Sequence, residues 1–238
     1  TYDSSGTYSY NGASNNYSMN ILANEWMQIP SWTPTLSYTL SVWVEFPLPN
    51  DFALQWNTIF QKSLGNYHHI MFGPNGELGI YSNSFYGCGF YDYSLSSGFH
   101  HITSVAENNE TKFYIDGNYV GVSNIKITEP IDIIGNQNGD GTQPVGIIDD
   151  VIIWNTALST IEINQYMNCP PTGYENNLGR YYNFEEAAYW PNGSIVYDQV
   201  SGSSNNGTII GATYNTNVPT QSCALTNANG CDSTAILN

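Results

Sequence analysis

The chain of 238 residues is long enough for one large all-β domain, and sandwiches of this size are common. Charged residues make up only 10% of it, and 20 acidic side chains oppose four Lys and Arg, so the formal net charge is −16. This charge repels phosphate groups, which excludes nucleic acid and anionic membranes as expected partners. There is no apolar run of 18 residues and no signal-peptide pattern, so we expect no membrane insertion.

Short alternating segments between turn residues dominate the chain. Residues 1–16 are rich in Ser, Tyr, Asn and Gly, which predicts a linker or an edge strand. After them, alternating apolar residues separated by Gly, Pro and Asn predict many short strands. The predicted strands are Tyr38–Phe46, Trp56–Lys62, His68–Phe72, Leu78–Tyr81, Phe99–Ala106, Lys112–Ile115, Tyr119–Ser123, Ile131–Ile134 and Gly146–Trp154.

The segment from residue 98 to residue 167 carries the clearest local signals. Asp116-Gly117 stands between two alternating runs, and this dipeptide readily takes the positive φ angles of a type I′ hairpin turn. The apolar run Ile147–Trp154 is interrupted by two aspartates. Ser159 and Glu162 have capping-box spacing, which predicts a helix that ends near Met167. Together these signals predict an antiparallel β-sandwich with one short helix.

The order and spacing of these segments resemble a known family over Tyr17 to Met167. Further matching segments are Met27–Pro30, Tyr38–Val44 and Thr58–Lys62. The pattern resembles the laminin-G-like, or concanavalin A-like, jelly roll of secreted bacterial proteins and, more distantly, the pentraxins. The resemblance implies an all-β fold that hosts lectins, adhesins and glycoside-active enzymes alike, so the fold by itself does not assign a function.

The segment 178–214 looks like the strands that usually open such a jelly roll. Either a second domain begins there, or these strands complete the same sandwich as a circular permutation. Fewer than about 60 residues follow Asn183, which is too few for another sandwich, so we favour permutation. The expected organisation is a linker at 1–16, one jelly-roll domain at 17–222 with 178–214 as permuted strands, and a linker repeat at 223–238.

The two ends of the chain and its four cysteines bear on where the protein works. The tail from Gln221 to Asn238 resembles repeats that join modules in large secreted surface proteins of Bacteroidetes-type bacteria. This resemblance implies an extracellular or cell-surface location and other modules of the same polypeptide as partners. Four cysteines allow three pairings. We expect Cys223 with Cys231 around a short loop and Cys88 with Cys169, or else buried thiols.

Catalysis is not predicted. The motif Glu-x-Asp-x-x-Glu, expected of a glycoside hydrolase on this scaffold, does not occur. Asp149 and Asp150 are adjacent, as are Glu185 and Glu186, and neighbouring side chains of a strand point to opposite faces. We therefore expect neither pair to act as acid and base, and we expect a protein that is not an enzyme.

The four histidines form two doublets, His68-His69 and His100-His101. In each doublet we expect one ring to point into the core and the other outward. Packed or hydrogen-bonded strand histidines are the favoured interpretation. The alternative is contact with a metal or sugar through one exposed ring, that of His68 or His69.

Calcium is the expected cofactor, because clustered Asp, Asn and turn carbonyls supply the oxygen ligands that it prefers. The pentraxin resemblance implies a site made by Asn66 and the loop residues Asn136, Asn138 and Asp140. A second site would use Asp149 or Asp150 with the loop 20–25. The alternative for both is a polar turn that satisfies its own backbone.

Two aromatic segments, 66–68 and 85–93, offer the mixture of ring faces and polar groups that binds sugars. The expected carbohydrate-binding residues are Tyr67, His68, Tyr86, Tyr91 and Tyr93, and Trp190 is a further exposed candidate. Alternatively, these rings cover core edges or pair across strands.

Three functional hypotheses follow. The first is a non-catalytic, calcium-assisted module that binds carbohydrate or a cell-surface ligand in adhesion. The alternative is a structural spacer or protein-interaction domain without a small ligand. An enzyme acting on polysaccharide is the third and least favoured.

Overall fold

The computed structural model describes residues 15–50, 55–135, 143–221 and 223. These residues form sixteen strands, the helix α1 (Thr160–Asn168), and two short 3-10 helices at Asp92–Ser94 and Glu185–Ala188. The strands are β1 Ser18–Ile21, β2 Trp26–Trp32, β3 Tyr38–Phe46, β4 Asn57–Gln61, β5 Tyr67–Phe72, β6 Glu77–Ser82, β7 Phe85–Tyr91, β8 Gly98–Glu107, β9 Glu110–Ile115, β10 Asn118–Ser123, β11 Ile131–Gly135, β12 Gly146–Trp154, β13 Leu178–Tyr182, β14 Ile195–Val196, β15 Gly207–Ile210 and β16 Thr213–Asn215.

Two antiparallel sheets form a sandwich. Sheet A has the order β10-β9-β8-β3-β12-β1-β16, with β13 also paired to β12. Sheet B has the order β14-β15-β2-β11-β4-β5-β6-β7. The predicted all-β sandwich with one short helix is confirmed.

The main core lies between the two sheets. On β3 the inward side chains alternate, as a strand that buries one face requires, and Leu40, Val42 and Val44 all belong to the core. They are joined there by residues of sheet B such as Phe60 and Ile70, which are fully buried. The alternating apolar side chains that predicted the strands are therefore the ones that fill this core.

A second, smaller core lies between the outer face of sheet A and α1. Ile152 and Trp154 of β12 pack there with Ile163 of the helix. The predicted capping box is present, because the Ser159 hydroxyl accepts from the Glu162 N–H and the Glu162 carboxylate accepts from the Ser159 N–H.

The hairpin between β9 and β10 turns at the predicted dipeptide. Asp116 and Gly117 have φ angles of 49° and 74°, as a type I′ turn requires. Asn118 pairs with Ile115 directly after the turn.

The strands of the segment 178–214 belong to the same sandwich. β13 pairs with β12 and β16 pairs with β1 in sheet A, while β15 pairs with β2 in sheet B. The permutation itself and the domain limits stay predictions. The expected linkers fall almost entirely outside the described residues.

The disulfide differs from the expected pairing. Cys169, directly after α1, is bonded to Cys223, whereas Cys88 is a free thiol in β7. The expected Cys88–Cys169 bridge is wrong because β7 lies in sheet B, whereas Cys169 follows the helix on the outer face of sheet A. The expected Cys223–Cys231 bridge is wrong as well, since Cys223 already has a partner. Cys231 itself lies outside the described residues.

Within the described ranges, no helix has the length and apolar character needed to span a membrane.

Candidate functional site

A cleft of about 450 Å³ lies beside the end of β7, and we call it the Tyr93 cleft. The segment 46–50 forms one wall. Other lining residues are Gln55, Asn75, Asp92, Tyr93, Ser96 and Ser97. The rings of Phe46 and Tyr93 therefore meet amides, hydroxyls and a carboxyl in one concave surface.

The short helix after β7 fixes this cleft in place. The Asp92 N–H donates to the Gly76 carbonyl at 2.9 Å, and the Leu95 N–H donates to the Asp92 carbonyl at 2.8 Å. Gly76 has a φ of 78°, and a Cβ at that position would lie 2.0 Å from Asp92 Oδ1. Only glycine therefore allows the carboxyl to approach this turn. Burial raises the pKa of Asp92 above its usual value.

Tyr93 presents its ring at the cleft. The side chain is 76% exposed, and its ring stacks on that of Tyr91 with a centroid distance of 5.2 Å and an interplanar angle of 22°. Tyr91 therefore supports Tyr93. Because the supporting ring limits rotation, the exposed ring is ordered before any ligand arrives.

His100 contacts two residues that line the cleft, Ser96 and Phe46. Its Nδ1 lies 2.7 Å from Asp116 Oδ2, and its Nε2 lies 3.1 Å from the Ser96 carbonyl oxygen. The ring also packs edge-on against Phe46 at a centroid distance of 5.7 Å. His100 thus links the β9–β10 turn to the cleft, and its role is structural.

The structure does not bring all five expected sugar-binding residues together. Tyr67 pairs with Ser82 at one end of β6, whereas Tyr91 pairs with Glu77 at the other end. Five residues of strand separate these ends by about 16 Å. Tyr86 is half-buried and packs against the core. Of the expected five, only Tyr93 lines this cleft, and Tyr91 contributes by stacking on the Tyr93 ring.

The first histidine doublet is divided between the core and the outer face as expected, and both rings are packed, so the alternative of one exposed ring for sugar or metal contact is wrong. His68 is 3% exposed and His69 is 1% exposed. His69 faces the core, where its Nδ1 lies 3.2 Å from the Tyr38 hydroxyl and burial lowers its pKa to about 3. His68 points to the outer face, but Tyr81 covers it with a ring contact of 5.9 Å.

Two further rings, those of Trp56 and Phe85, lie on that outer face, and no pattern in the sequence groups them with Tyr81. Trp56 packs edge-on against Tyr81 at 5.8 Å and against Phe85 at 5.4 Å. These contacts join β6, β7 and the start of β4, so only the sheet order brings them together.

The second doublet follows the expectation more closely. His101 is 2% exposed, and burial lowers its pKa to about 4. His100 is half-buried beside Ser96 and Phe46, as described above.

A second pocket, of about 650 Å³, lies on the outer side of sheet A, and we call it the acidic pocket. Asp150, Tyr181, Glu185 and Gln221 line it together with Asn15 and the Pro170–Pro171 segment. The chain segment 218–221 forms another wall, and the Cys169–Cys223 bond ties that segment to the end of α1.

A β-bulge places both aspartates on this side, contrary to the expectation of opposite faces. Ile148 and Val151 both face the main core, so two residues rather than one lie between consecutive inward side chains. Asp150 has a φ of 47°, and the register of β12 against β3 shifts at this point. The extra residue at a bulge cancels the alternation of a regular strand.

Among the described residues, only neutral groups donate to the two carboxylates. Asp149 Oδ2 accepts from the Asn15 amide at 2.9 Å, and Asp150 accepts from the Tyr181 hydroxyl at 2.8 Å and the Gln221 amide at 2.6 Å. No described Lys or Arg forms an ion pair with either aspartate. Burial raises the pKa of Asp150 to about 6. Burial and the nearby Asp150 charge raise the pKa of Asp149 well above its usual value.

Glu185 holds the start of the first strand rather than joining this pair. Its carboxylate accepts from the backbone N–H groups of Asn16 and Tyr17 at 2.8 and 2.9 Å.

The residues of the first expected calcium site are partly outside the described ranges. Asn66 is exposed beside β5 of sheet B, while Asn136, Asn138 and Asp140 are not described. Asp149 lies on sheet A, so it does not share a site with Asn66.

At the second expected calcium site, Asp149 contacts Asn15 and not the loop 20–25. In that loop, the Glu25 carboxylate accepts from the Leu22 N–H. Across the described ranges, no three His, Cys, Asp or Glu side chains are arranged to hold a metal. An ion here would therefore need amide, carbonyl or water oxygens in addition to the two aspartates.

Comparison with known proteins identifies the fold. A family model described as the concanavalin A-like lectin/glucanases superfamily matches residues 12–164. None of the curated proteins matches the chain.

Two solved structures are similar. A candidate carbohydrate-binding protein from Bacteroides ovatus ATCC 8483 has a TM-score of 0.65 and 20% identity, with 87% of this chain and 62% of that chain covered. The native heptameric SAP-like pentraxin from Limulus polyphemus has a TM-score of 0.51 and 12% identity, with 85% of this chain and 95% of that chain covered. This chain thus spans less than two thirds of the Bacteroides protein. Such identities show the fold alone, and they confirm the predicted concanavalin A-like jelly roll.

Proposed function

The chain belongs to the concanavalin A-like lectin/glucanase superfamily, and from that premise we propose that it is a non-catalytic module that binds neutral glycans in the Tyr93 cleft. The observation that carries the proposal is the exposed Tyr93 ring, stacked on Tyr91 beside amide and hydroxyl groups. A ring face stacks on the apolar side of a pyranose, while the amides and hydroxyls bond its hydroxyl groups.

The charges of the chain favour a neutral sugar. All four cationic side chains are engaged elsewhere: Lys62 pairs with Glu129, Lys112 with Glu107 and Glu110, Lys126 donates to the Leu36 carbonyl, and Arg180 donates to the Gly179 carbonyl. None of them lines either pocket. A uronate or sulfate in the Tyr93 cleft would meet the Asp92 carboxyl without a compensating cation, which costs binding energy.

Calcium assistance is part of the proposal, and the acidic pocket fits it better than any other described group. Asp149 and Asp150 are 0% and 4% exposed and have no cationic partner in the part of the chain that the structure describes, although buried charges are normally paired or bind a metal. Carboxylate and amide oxygens are the ligands that calcium prefers. The ion would neutralise the two aspartates and hold the segment 218–221 against the sheet.

The setting proposed for the module is extracellular. The Cys169–Cys223 bond suits an oxidising compartment. The parent protein would use the module for adhesion to glycans of a cell surface or matrix, together with its other modules.

A neutral and acidic glycan array tests the proposal. We expect wild type to bind neutral glycans and not their uronate or sulfated counterparts. Tyr93→Ala should weaken binding at least about tenfold, because a ring at the centre of a site is a typical hot spot. Tyr174→Ala removes a ring that is 81% exposed outside the cleft, and it should bind like wild type. A folded wild type that binds no glycan on the array would favour the structural-spacer hypothesis.

A separate thermal-shift experiment tests calcium. We expect calcium to raise the Tm of wild type and a chelator to reverse the change, because a ligand that binds only the folded state stabilises it. Asp150→Asn should lose this response, and Asn tolerates the positive φ at this position. An unchanged Tm in wild type would contradict calcium binding but would not contradict glycan binding in the Tyr93 cleft.

A further inference from the structure

An exposed aromatic patch lies at the β14 edge of sheet B. We define the patch as Tyr189, Trp190 and Tyr197, whose exposed fractions are 82%, 66% and 45%. The neighbouring Ile195 is also 47% exposed. Exposed rings of this size add little to the stability of the fold, and a group of them marks an interaction surface.

One buried residue, Glu186, accepts hydrogen bonds from the backbone of all three aromatic residues. The Glu186 carbonyl accepts from the N–H groups of Tyr189 and Trp190 at 2.9 and 2.8 Å, and its Oε1 accepts from the Tyr197 N–H at 2.7 Å. Glu186 is 7% exposed, and its buried Oε2 has no hydrogen-bond partner within the described ranges. The chain thus keeps an incompletely satisfied buried carboxyl at the position that organises these rings.

Further bonds tighten the segment between Trp190 and Tyr197. The Gly193 N–H donates to the Trp190 carbonyl at 2.8 Å, and the Ile209 N–H donates to the Ser194 carbonyl at 2.7 Å. A Cβ on Gly193 would lie 3.0 Å from the Trp190 Cβ, which shows how tight this turn is. The backbone under the rings is therefore ordered in advance, which lowers the entropy cost of binding.

The chemistry around the rings indicates the ligand. No cation lies in the sequence from 186 to 197, so phosphate groups and anionic membranes are excluded. β14 has only two residues, which is too short to pair with a strand of another protein. In the sequence, Asn192 and Ser194 lie between Trp190 and Tyr197 and add an amide and a hydroxyl to this segment. Rings with neutral polar groups beside them match a sugar.

We propose that the aromatic patch is a second glycan-binding platform, separate from the Tyr93 cleft, and that the module is bivalent. This inference rests on the proposed function. β14 and β7 are the two edges of sheet B, seven inter-strand steps apart, which corresponds to about 34 Å along the sheet. A long neutral polysaccharide would engage both platforms and gain avidity, whereas a short oligosaccharide would occupy them independently.

Calorimetric titration with cellohexaose, xylohexaose and mannohexaose tests the number of platforms. We expect wild type to bind two molecules per chain of at least one of these sugars, and Trp190→Ala and Tyr93→Ala to bind one each. The double variant should bind none. Tyr174→Ala, which removes an equally exposed ring, should keep two. On the matching polymer, the apparent Kd of Trp190→Ala should rise at least about tenfold from lost avidity.

Glu186 is a positioning residue, and two substitutions test that role. Glu186→Gln keeps a side-chain oxygen for the Tyr197 N–H and should still bind two oligosaccharides. Glu186→Ala removes that acceptor and should bind one, at the Tyr93 cleft. Retained binding at the Tyr93 cleft shows that the Ala variant is folded. Two bound oligosaccharides in the Ala variant would contradict the positioning role.

Three results would overturn the inference. One molecule per chain in wild type, unchanged in Trp190→Ala, would leave the proposed function intact and remove the second platform. A wild-type dimer that becomes monomeric in Trp190→Ala, measured by light scattering, would assign the patch to self-association. Absence of binding to every sugar and polymer would overturn the proposed function as well, so the two failures are distinguishable.

Discussion

His69 is a residue whose protonation state follows from its surroundings. The Tyr38 hydroxyl donates to the Ile127 carbonyl at 2.8 Å, so His69 Nδ1, 3.2 Å away, donates its proton to the same hydroxyl. The other ring nitrogen, Nε2, is buried and has no hydrogen-bond partner among the described residues. Burial disfavours the charged ring more than the nearby Glu129 backbone favours it, so the pKa of His69 is lowered to about 3.

The lowered pKa predicts acid sensitivity. The neutral ring stabilises the fold above the usual histidine pKa of 6.5, and this contribution is lost as the pH falls from there towards about 3. Between pH 7 and pH 4.5 the loss corresponds to about 2.5 kcal/mol of unfolding free energy. Urea unfolding of wild type and His69→Phe at both pH values measures it. The variant should lose less stability on acidification, and equal losses in the two proteins would contradict the assignment.

The side of the sheet on which Asp150 lies could not be predicted from the sequence. Strict alternation predicted opposite faces for Asp149 and Asp150, yet the left-handed conformation of Asp150 adds a residue to the strand and brings both carboxylates to one side. Asp tolerates positive φ better than most residues, but a strand pattern does not reveal which Asp adopts it. The partners Asn15 and Gln221 lie 134 and 71 residues away in the chain, so no local signal identifies them.

At the scale of elements, the disulfide between Cys169 and Cys223 joins the segment 218–221 to the end of α1. The bond closes a loop with a sequence separation of 54 residues, and Gln221 donates to Asp150. The segment 218–221 therefore forms a wall of the acidic pocket while the bond holds it next to the helix.

Removal of this bond should destabilise the fold and open the pocket. For Cys169→Ser with Cys223→Ser we expect a loss of about 2–4 kcal/mol in unfolding free energy, since loop closure no longer restricts the unfolded chain. Calcium should also raise the Tm less than in wild type. Cys88→Ser is the matched control because that thiol is free. Equal stability of the double variant and the control would argue against the bond.

The elements themselves were predictable to different degrees. The hairpin at Asp116-Gly117 and the helix with its Ser159 cap carry local signals, namely positive-φ residues and a capping box, and both are confirmed. The disulfide was not predictable, because the spacing of cysteines in the sequence does not show which of them lie close together in the fold. The separation of Tyr67 from Tyr91 likewise depends on the direction of β5, β6 and β7.

For the whole molecule, the alternation of apolar residues was sufficient to predict two sheets around one core. It did not define the binding surfaces, because clefts and patches arise where segments remote in sequence meet. The Tyr93 cleft joins the segments 46–50, 73–76 and 92–97. The aromatic patch depends on Glu186, whose buried position has no signature in the sequence.

The most direct test of neutral-glycan recognition without turnover is proton NMR of the protein mixed with the neutral oligosaccharides. The account predicts that the Tyr93 ring signals shift in proportion to added sugar, that those of Tyr174 do not, and that the sugar is intact after prolonged incubation. Shortened or modified sugar, or unshifted Tyr93 signals with every neutral sugar tested, would contradict it.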